Sequence, residues 1–122
     1  MPRRIRGPQG VCFALAALLA STGASAAFFL DSATLLQWLD DYDAYQERRE
    51  IRYMAKTSQY VGYVTGVVDA LDGTRFCLAG GVGAEQAAAQ VAEYARQHAK
   101  NLPRHASETV SAALAEQYPC KR

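Results

Sequence analysis

Tyr60-Val-Gly-Tyr-Val-Thr-Gly-Val-Val-Asp-Ala-Leu-Asp-Gly-Thr-Arg-Phe-Cys77 is the stretch from which the fold is read, because it is the most apolar run outside the N-terminus. Gly62 and Gly66 stand four apart, with Tyr63, Val64, Val67 and Val68 around them. On a helix, that spacing puts two positions without side chains on one face, where another backbone can approach closely. Each glycine costs about 1 kcal/mol against alanine inside a helix, so close packing is expected to offset the loss. Asp72-Gly73 then stops the helix, with Gly73 suited to the left-handed position after the last turn. Cys77 follows at once, which predicts a central helix handed directly to a crosslink.

Working outward toward the N-terminus, Arg3, Arg4 and Arg6 precede an apolar run from Val11 to Ala20, and Ala24-Ser25-Ala26 follows. A basic start, a short apolar run and a small-residue cleavage site form the layout of a secretory signal peptide. Residues 1–26 are therefore read as an export signal and residues 27–122 as one mature domain. The apolar run is too short to span a bilayer, which takes about 20 residues, so no membrane association is expected after cleavage. Cys12 lies inside that run, not just after a cleavage motif, and does not resemble a lipid attachment site. Removing three arginines from the 13 basic side chains while keeping all 12 acidic ones leaves a net charge of about −2, in place of the formal +1. A nucleic-acid binder would show a basic patch, and none is expected here.

Two cysteines survive cleavage, Cys77 and Cys120. An exported chain with two cysteines most simply joins them in one disulfide. In the chain-entropy account such a bridge is worth about 4 kcal/mol. That is comparable with the ~5–15 kcal/mol that holds a small domain together. Two cysteines are too few for a structural zinc site, and neither His98 nor His105 stands at ligand spacing from them. No metal and no cofactor is expected.

The rest of the mature chain reads as helices. Asp31 or Ser32 caps the first, which carries Leu35, Leu36, Trp38, Leu39, Tyr42 and Tyr45 at helical spacing. Its acids, Asp40, Asp41, Asp43, Glu47 and Glu50, are followed closely by Arg48, Arg49 and Arg52. They read as an exposed face with local ion pairs, or alternatively as a patch for a basic partner. A break is expected between Ala44 and Arg49. The central helix then starts near Glu50, with Thr57-Ser58 marking a kink or a new cap. After Gly73 comes a permissive loop, Leu78-Ala79-Gly80-Gly81-Val82-Gly83. It lacks the Gly-Lys-Ser/Thr ending of a phosphate-binding loop. A third helix spans about Ala84 to Ala99, with the stripe Ala84, Ala87, Ala88, Val91, Tyr94, Ala95 and His98. A fourth starts near His105 or Ala106, carries Val110, Ala113, Leu114 and Tyr118 inward, and stops at Pro119. No strand-like alternation is sustained. The fold class predicted is all-α: a small single-domain bundle of four to five helices with one disulfide.

Catalytic chemistry finds no constellation. Both mature cysteines are better explained as a bridge than as a free thiolate beside a base. His98 falls at a helix end, where it can sit against the last carbonyls, and His105 falls in a connector. Asp69 reads as an aspartate on the exposed edge of the central helix. No paired carboxylates, nucleophile elbow or zinc-protease helix is present. By elimination the chain binds and does not catalyse.

The combined pattern is Gly62-Tyr63-Val64-x-Gly66-Val67-x-Asp69-Ala70, Phe76-Cys77-Leu78, Gly81-Val82-x-x-x-Gln86, Val91-x-x-Tyr94, His105, Val110, Ala113-Leu114 and Tyr118-Pro119-Cys120. It resembles the Rap/Tai family of type VI secretion immunity proteins, over roughly Leu35 to Cys120. The resemblance implies a small all-helical periplasmic protein, often dimeric. Such a protein binds a cognate effector, a cell-wall amidase, and blocks its groove without chemistry of its own. The family's two further cysteines align with Leu39 and Tyr60; their joint absence is what loss of one whole bridge would look like and leaves Cys77 to pair with Cys120. The Pro usual after Phe-Cys is replaced by Leu78-Ala79-Gly80, which implies a looser loop. The partner-binding residues expected are Leu78, Ala79, Gly80, Gly81, Val82 and Gly83, with the acidic face of the first helix second. Gly62, Tyr63, Gly66 and Asp69 are the structural motif. An alternative of a different class is an acid-stress or chaperone-like periplasmic bundle with no effector partner.

Overall fold

The computed structural model of the chain describes residues 29–121, so the N-terminal arginines, the apolar run and the Ala24–Ala26 cleavage site lie outside the described residues. Four α-helices follow in order: α1 Ser32–Arg48, α2 Met54–Leu71, α3 Ala84–Gln97 and α4 Ala106–Gln117. A single 3-10 turn, Ile51–Tyr53, leads into α2. Among the described residues there is no strand, only two isolated bridges, Asp31 with His105 and Asp72 with Phe76. The all-α bundle expected from the spacing is the fold observed. No helix among the described residues is long and apolar enough to cross a membrane.

α2 touches each of the other three helices. Its inward face is Tyr60, Val64 and Val67. Against it stand Leu35, Leu39 and Tyr42 of α1, the run Ala87, Ala88, Val91, Ala92 and Ala95 of α3, and Val110, Ala113 and Leu114 of α4. The alanines keep α3 thin, so its backbone lies near its neighbours. Tyr60 exploits this: its hydroxyl donates to the Ala88 carbonyl oxygen at 2.6 Å, fully buried. Burial pushes the Tyr60 phenol far above its ordinary titration range. Its ring packs at 4.9 Å from that of Tyr42. Leu39 and Tyr60 both sit in this core.

The ends of the helices are fastened locally. Asp31 caps α1 by accepting the Thr34 amide at 2.8 Å. Ser32 N–H donates to the Arg104 carbonyl, Ala106 N–H donates to the Leu30 carbonyl, and the hydroxyls of Ser32 and Thr109 meet at 2.7 Å. The start of α1 is thereby tied to the start of α4. At the far end, the expected break falls at Arg49, which takes a left-handed conformation, φ 56°, ψ 28°. Thr57 and Ser58 start no new helix; α2 runs through them, and the Thr57 hydroxyl reaches the Asp41 carbonyl oxygen of α1 at 3.4 Å. α2 ends in a turn of type II geometry. Asp72 is extended, Gly73 has φ 83°, and the Thr74 amide donates to Leu71 at 3.0 Å, which requires a positive φ at that glycine.

One expectation at the central helix is not met. No atom lies within 4 Å of where a Cβ would stand on Gly62 or Gly66. Both glycines are exposed. The side of α2 that packs is the Tyr60–Val64–Val67 side. The glycine face, with Tyr63, Ala70, Leu71 and Ser107, borders an open apolar groove of about 510 Å³.

Candidate functional site

The crosslink sets the loop. Cys77 and Cys120 form the disulfide, Cα to Cα 4.8 Å. Phe76, immediately before it, is completely buried. The Cys77 amide donates to the Tyr118 carbonyl at 2.8 Å, and the Gly73 amide to the Phe76 carbonyl at 2.8 Å. The Asp72 carboxylate accepts the Leu78 amide at 2.9 Å. The chain is therefore anchored up to Leu78 by a buried ring, a covalent bond and hydrogen bonds.

Past that anchor the loop turns outward. Gly81 has φ 90°, and the Val82 amide donates to the Ala79 carbonyl at 3.3 Å. Leu78 and Val82 tuck against the core, while Ala79, Gly80, Gly81 and Gly83 are exposed. The exposed part thus offers backbone N–H and C=O groups with almost no side chain around them. Such a ridge is narrow enough to enter a groove and can pair with polar groups inside it. Where the proline is absent, Leu78 is held through its amide by the Asp72 carboxylate.

The four motif residues divide between two surfaces. Asp69 is exposed and borders a shallow recess of about 200 Å³ beneath the loop, together with Leu78 and Val82. Gly62, Tyr63 and Gly66 border the apolar groove described above. Burial raises the Tyr63 phenol above its ordinary value, opposed by hydrogen bonding to Ser107.

The histidines sit where the sequence placed them. His98 caps the C-terminus of α3, stacked at 4.1 Å on Tyr94, with Nδ1 2.8 Å from the Tyr94 carbonyl oxygen. His105 is the N-cap residue of α4. The acidic face of α1 is partly consumed within the fold: Asp43 accepts from Nε and Nη2 of Arg96 on α3. No group of three or more His, Cys, Asp or Glu side chains among the described residues is placed to hold a metal ion. Gln90 Nε2 donates to the Tyr118 hydroxyl at 2.7 Å, joining α3 to the end of α4.

Sequence reasoning passed over the cations at the junction of α1 and α2. Arg48, Arg49, Arg52 and Lys56 are all exposed at the α1–α2 corner. It counted the arginines only as counterions for neighbouring acids. Their interleaving with Tyr45, Tyr53 and Trp38 was the available signal.

Against known proteins, a family model described as Rap1a immunity proteins matches residues 31–120. No curated protein and no solved structure matches.

Proposed function

The chain belongs to the Rap1a immunity protein family, and from that membership we propose that it is a periplasmic inhibitor of a peptidoglycan amidase delivered by type VI secretion. The family match over residues 31–120 is the observation that carries this reading. Membership points to immunity against a type VI effector; the amidase and the mode of blocking are our proposal.

The loop Leu78–Gly83 is the element we assign to the blocking step. A narrow backbone ridge on an anchored base can fill an active-site groove without being cut or moved. Inhibition of this kind needs no reaction by the inhibitor; it needs shape and a rigid mount, since rigidity lowers the ordering cost of binding. In this proposal residues 1–26 export the chain, residues 27–122 form the inhibitory domain, and the oxidising periplasm supports the disulfide.

The test is co-expression. The protein encoded by the adjacent gene is directed to the periplasm with and without this chain. Lysis without the chain and growth with it is the expected result. A neighbour that is harmless by itself, or that lyses cells equally in both cases, overturns the reading.

A further inference from the structure

Between α1 and α2 the chain turns a corner whose composition the blocking loop does not explain. Arg48, Arg49, Arg52 and Lys56 are exposed there, and three of them lie over aromatic rings. Arg49 stands 5.4 Å from the centre of Tyr45, Arg52 4.7 Å from Tyr53, and Lys56 5.9 Å from Trp38. Arg48 Nη1 donates to the Tyr53 hydroxyl at 3.1 Å. Cations resting on ring faces are partly ordered before a partner arrives, so docking costs them less freedom. The acids at the corner are Glu47 and Glu50, and Glu50 is paired with Arg52 at 2.7 Å. Within residues 47–56 four cations thus stand against two carboxylates, and Glu85 of α3 lines the adjoining groove.

Apolar surface projects from the same corner. Ile51 is 82% exposed and Met54 43%. An exposed isoleucine in a segment that carries Arg48, Arg49, Arg52 and Tyr53 has the make-up of an interface centre, where arginine and tyrosine are enriched.

The backbone adds a separate observation. Arg49 is the one residue other than glycine with positive φ among the described residues. Glycine or asparagine would adopt that conformation at lower cost. Strain tolerated at an arginine points to a use for its side chain. A groove of about 330 Å³ runs from Tyr45 and Met54 past Val61 to Glu85, two residues beyond Gly83.

We infer that the α1–α2 corner is a second docking surface, which grips an acidic protein surface offering an apolar recess to Ile51 and carboxylates to Arg48, Arg49, Arg52 and Lys56. The inference rests on the immunity reading: the effector is the partner, the loop blocks it, and the corner anchors it. Charge complementarity selects an acidic surface. A basic partner would meet four like charges, and like-charge contact is strongly unfavourable.

The experiment uses the oxidised chain and, as probe, the purified protein encoded by the adjacent gene, with calorimetric Kd values at 50 and 500 mM NaCl. Ile51→Asp is expected to weaken binding at least about 30-fold, the size of an interface hot spot. Arg49→Glu with Arg52→Glu is expected to weaken it about 100-fold and to remove most of the salt dependence, which in the unaltered chain is about 10-fold. Arg49→Gly is expected to bind more weakly while its unfolding midpoint holds or rises, which separates the side chain's role from folding. Gly80→Trp, in the loop, should weaken binding independently. If Gly80→Trp weakens binding while the corner variants bind within threefold of the unaltered chain, the corner is overturned and the immunity reading stands. If the unaltered chain does not bind the probe at all, both are overturned.

Discussion

Asp31 shows how one residue can do two structural jobs. Its carboxylate accepts the Thr34 amide at the start of α1, and its backbone bridges to His105 at the start of α4. The Thr34 hydrogen bonds hold its pKa below the ordinary value of 3.8. The folded pKa is therefore lower than the unfolded one. The cap's contribution is complete above the unfolded value and is lost as pH falls through the folded one. Titration of the Asp31 carboxyl by NMR should show a midpoint below the ordinary value of 3.8, and Asp31→Asn should flatten stability against pH in that acid window. A midpoint at or above the ordinary value contradicts the cap. Arg49 is the opposite case, a residue whose backbone is unfavourable where it stands. Arg49→Gly should raise stability by about 1 kcal/mol, measured by urea unfolding, because glycine takes φ 56° without a Cβ clash. A loss of stability would mean that the ring contact with Tyr45 outweighs the strain.

Helices α1, α3 and α4 were legible in sequence because each carries an apolar stripe of one period with an interpretable end. Leu35, Leu39 and Tyr42 went inward as spacing required, and so did Ala87, Ala88, Val91 and Ala95. Ala92 joined them without being anticipated, since an alanine reads equally well on either face. The end of α2 was legible from Asp72-Gly73, because only a residue free to take positive φ fits the turn. The glycine face was misread. Spacing of four shows that Gly62 and Gly66 share a face, but it does not say whether that face turns inward. Tyr60 and Val64 decided the matter by filling the core from the adjacent side, Tyr60 through its bond to Ala88. Since nothing stands near either glycine, Gly62→Ala and Gly66→Ala should each stabilise the isolated chain by about 1 kcal/mol through helix propensity alone. Thermal unfolding of the two variants checks this; a lowered midpoint in either would show that the face is covered after all. Phe76 was also missed as a core residue. It lies in a loop, and no periodicity marks a single buried ring between a turn and a cysteine.

For the whole molecule, the small size of the core explains why a covalent tie matters. A domain this short buries a modest share of its unfolded surface, and several of its core residues are alanines that bury little each. The Cys77–Cys120 bridge joins the exit of α2 to the end of α4, and so closes the half of the chain that carries the loop. Cys77→Ser with Cys120→Ser should cost about 2–4 kcal/mol of stability. Thiol labelling of the mature protein should find no free sulfhydryl before reduction and two after it; labelling of both without reductant contradicts the bridge. The same half carries the proposed blocking ridge, so the reduced protein should inhibit less well than its remaining helicity suggests. The residues that would meet a partner were the least legible of all. A family pattern records what the fold needs, in Phe76 and Cys77, while the partner contacts proposed here fall at exposed positions such as Ile51 and Gly80 that no periodicity constrains.

The central claim is that this chain neutralises an enzyme by occupying it. The most direct measurement is peptidoglycan cleavage by the purified product of the adjacent gene, titrated with the oxidised mature chain. The account predicts that cleavage falls to zero at one chain per effector molecule, with nanomolar affinity and no change in either protein's covalent structure. Cleavage that continues at full rate in the presence of excess chain, or binding no tighter than micromolar, would contradict it.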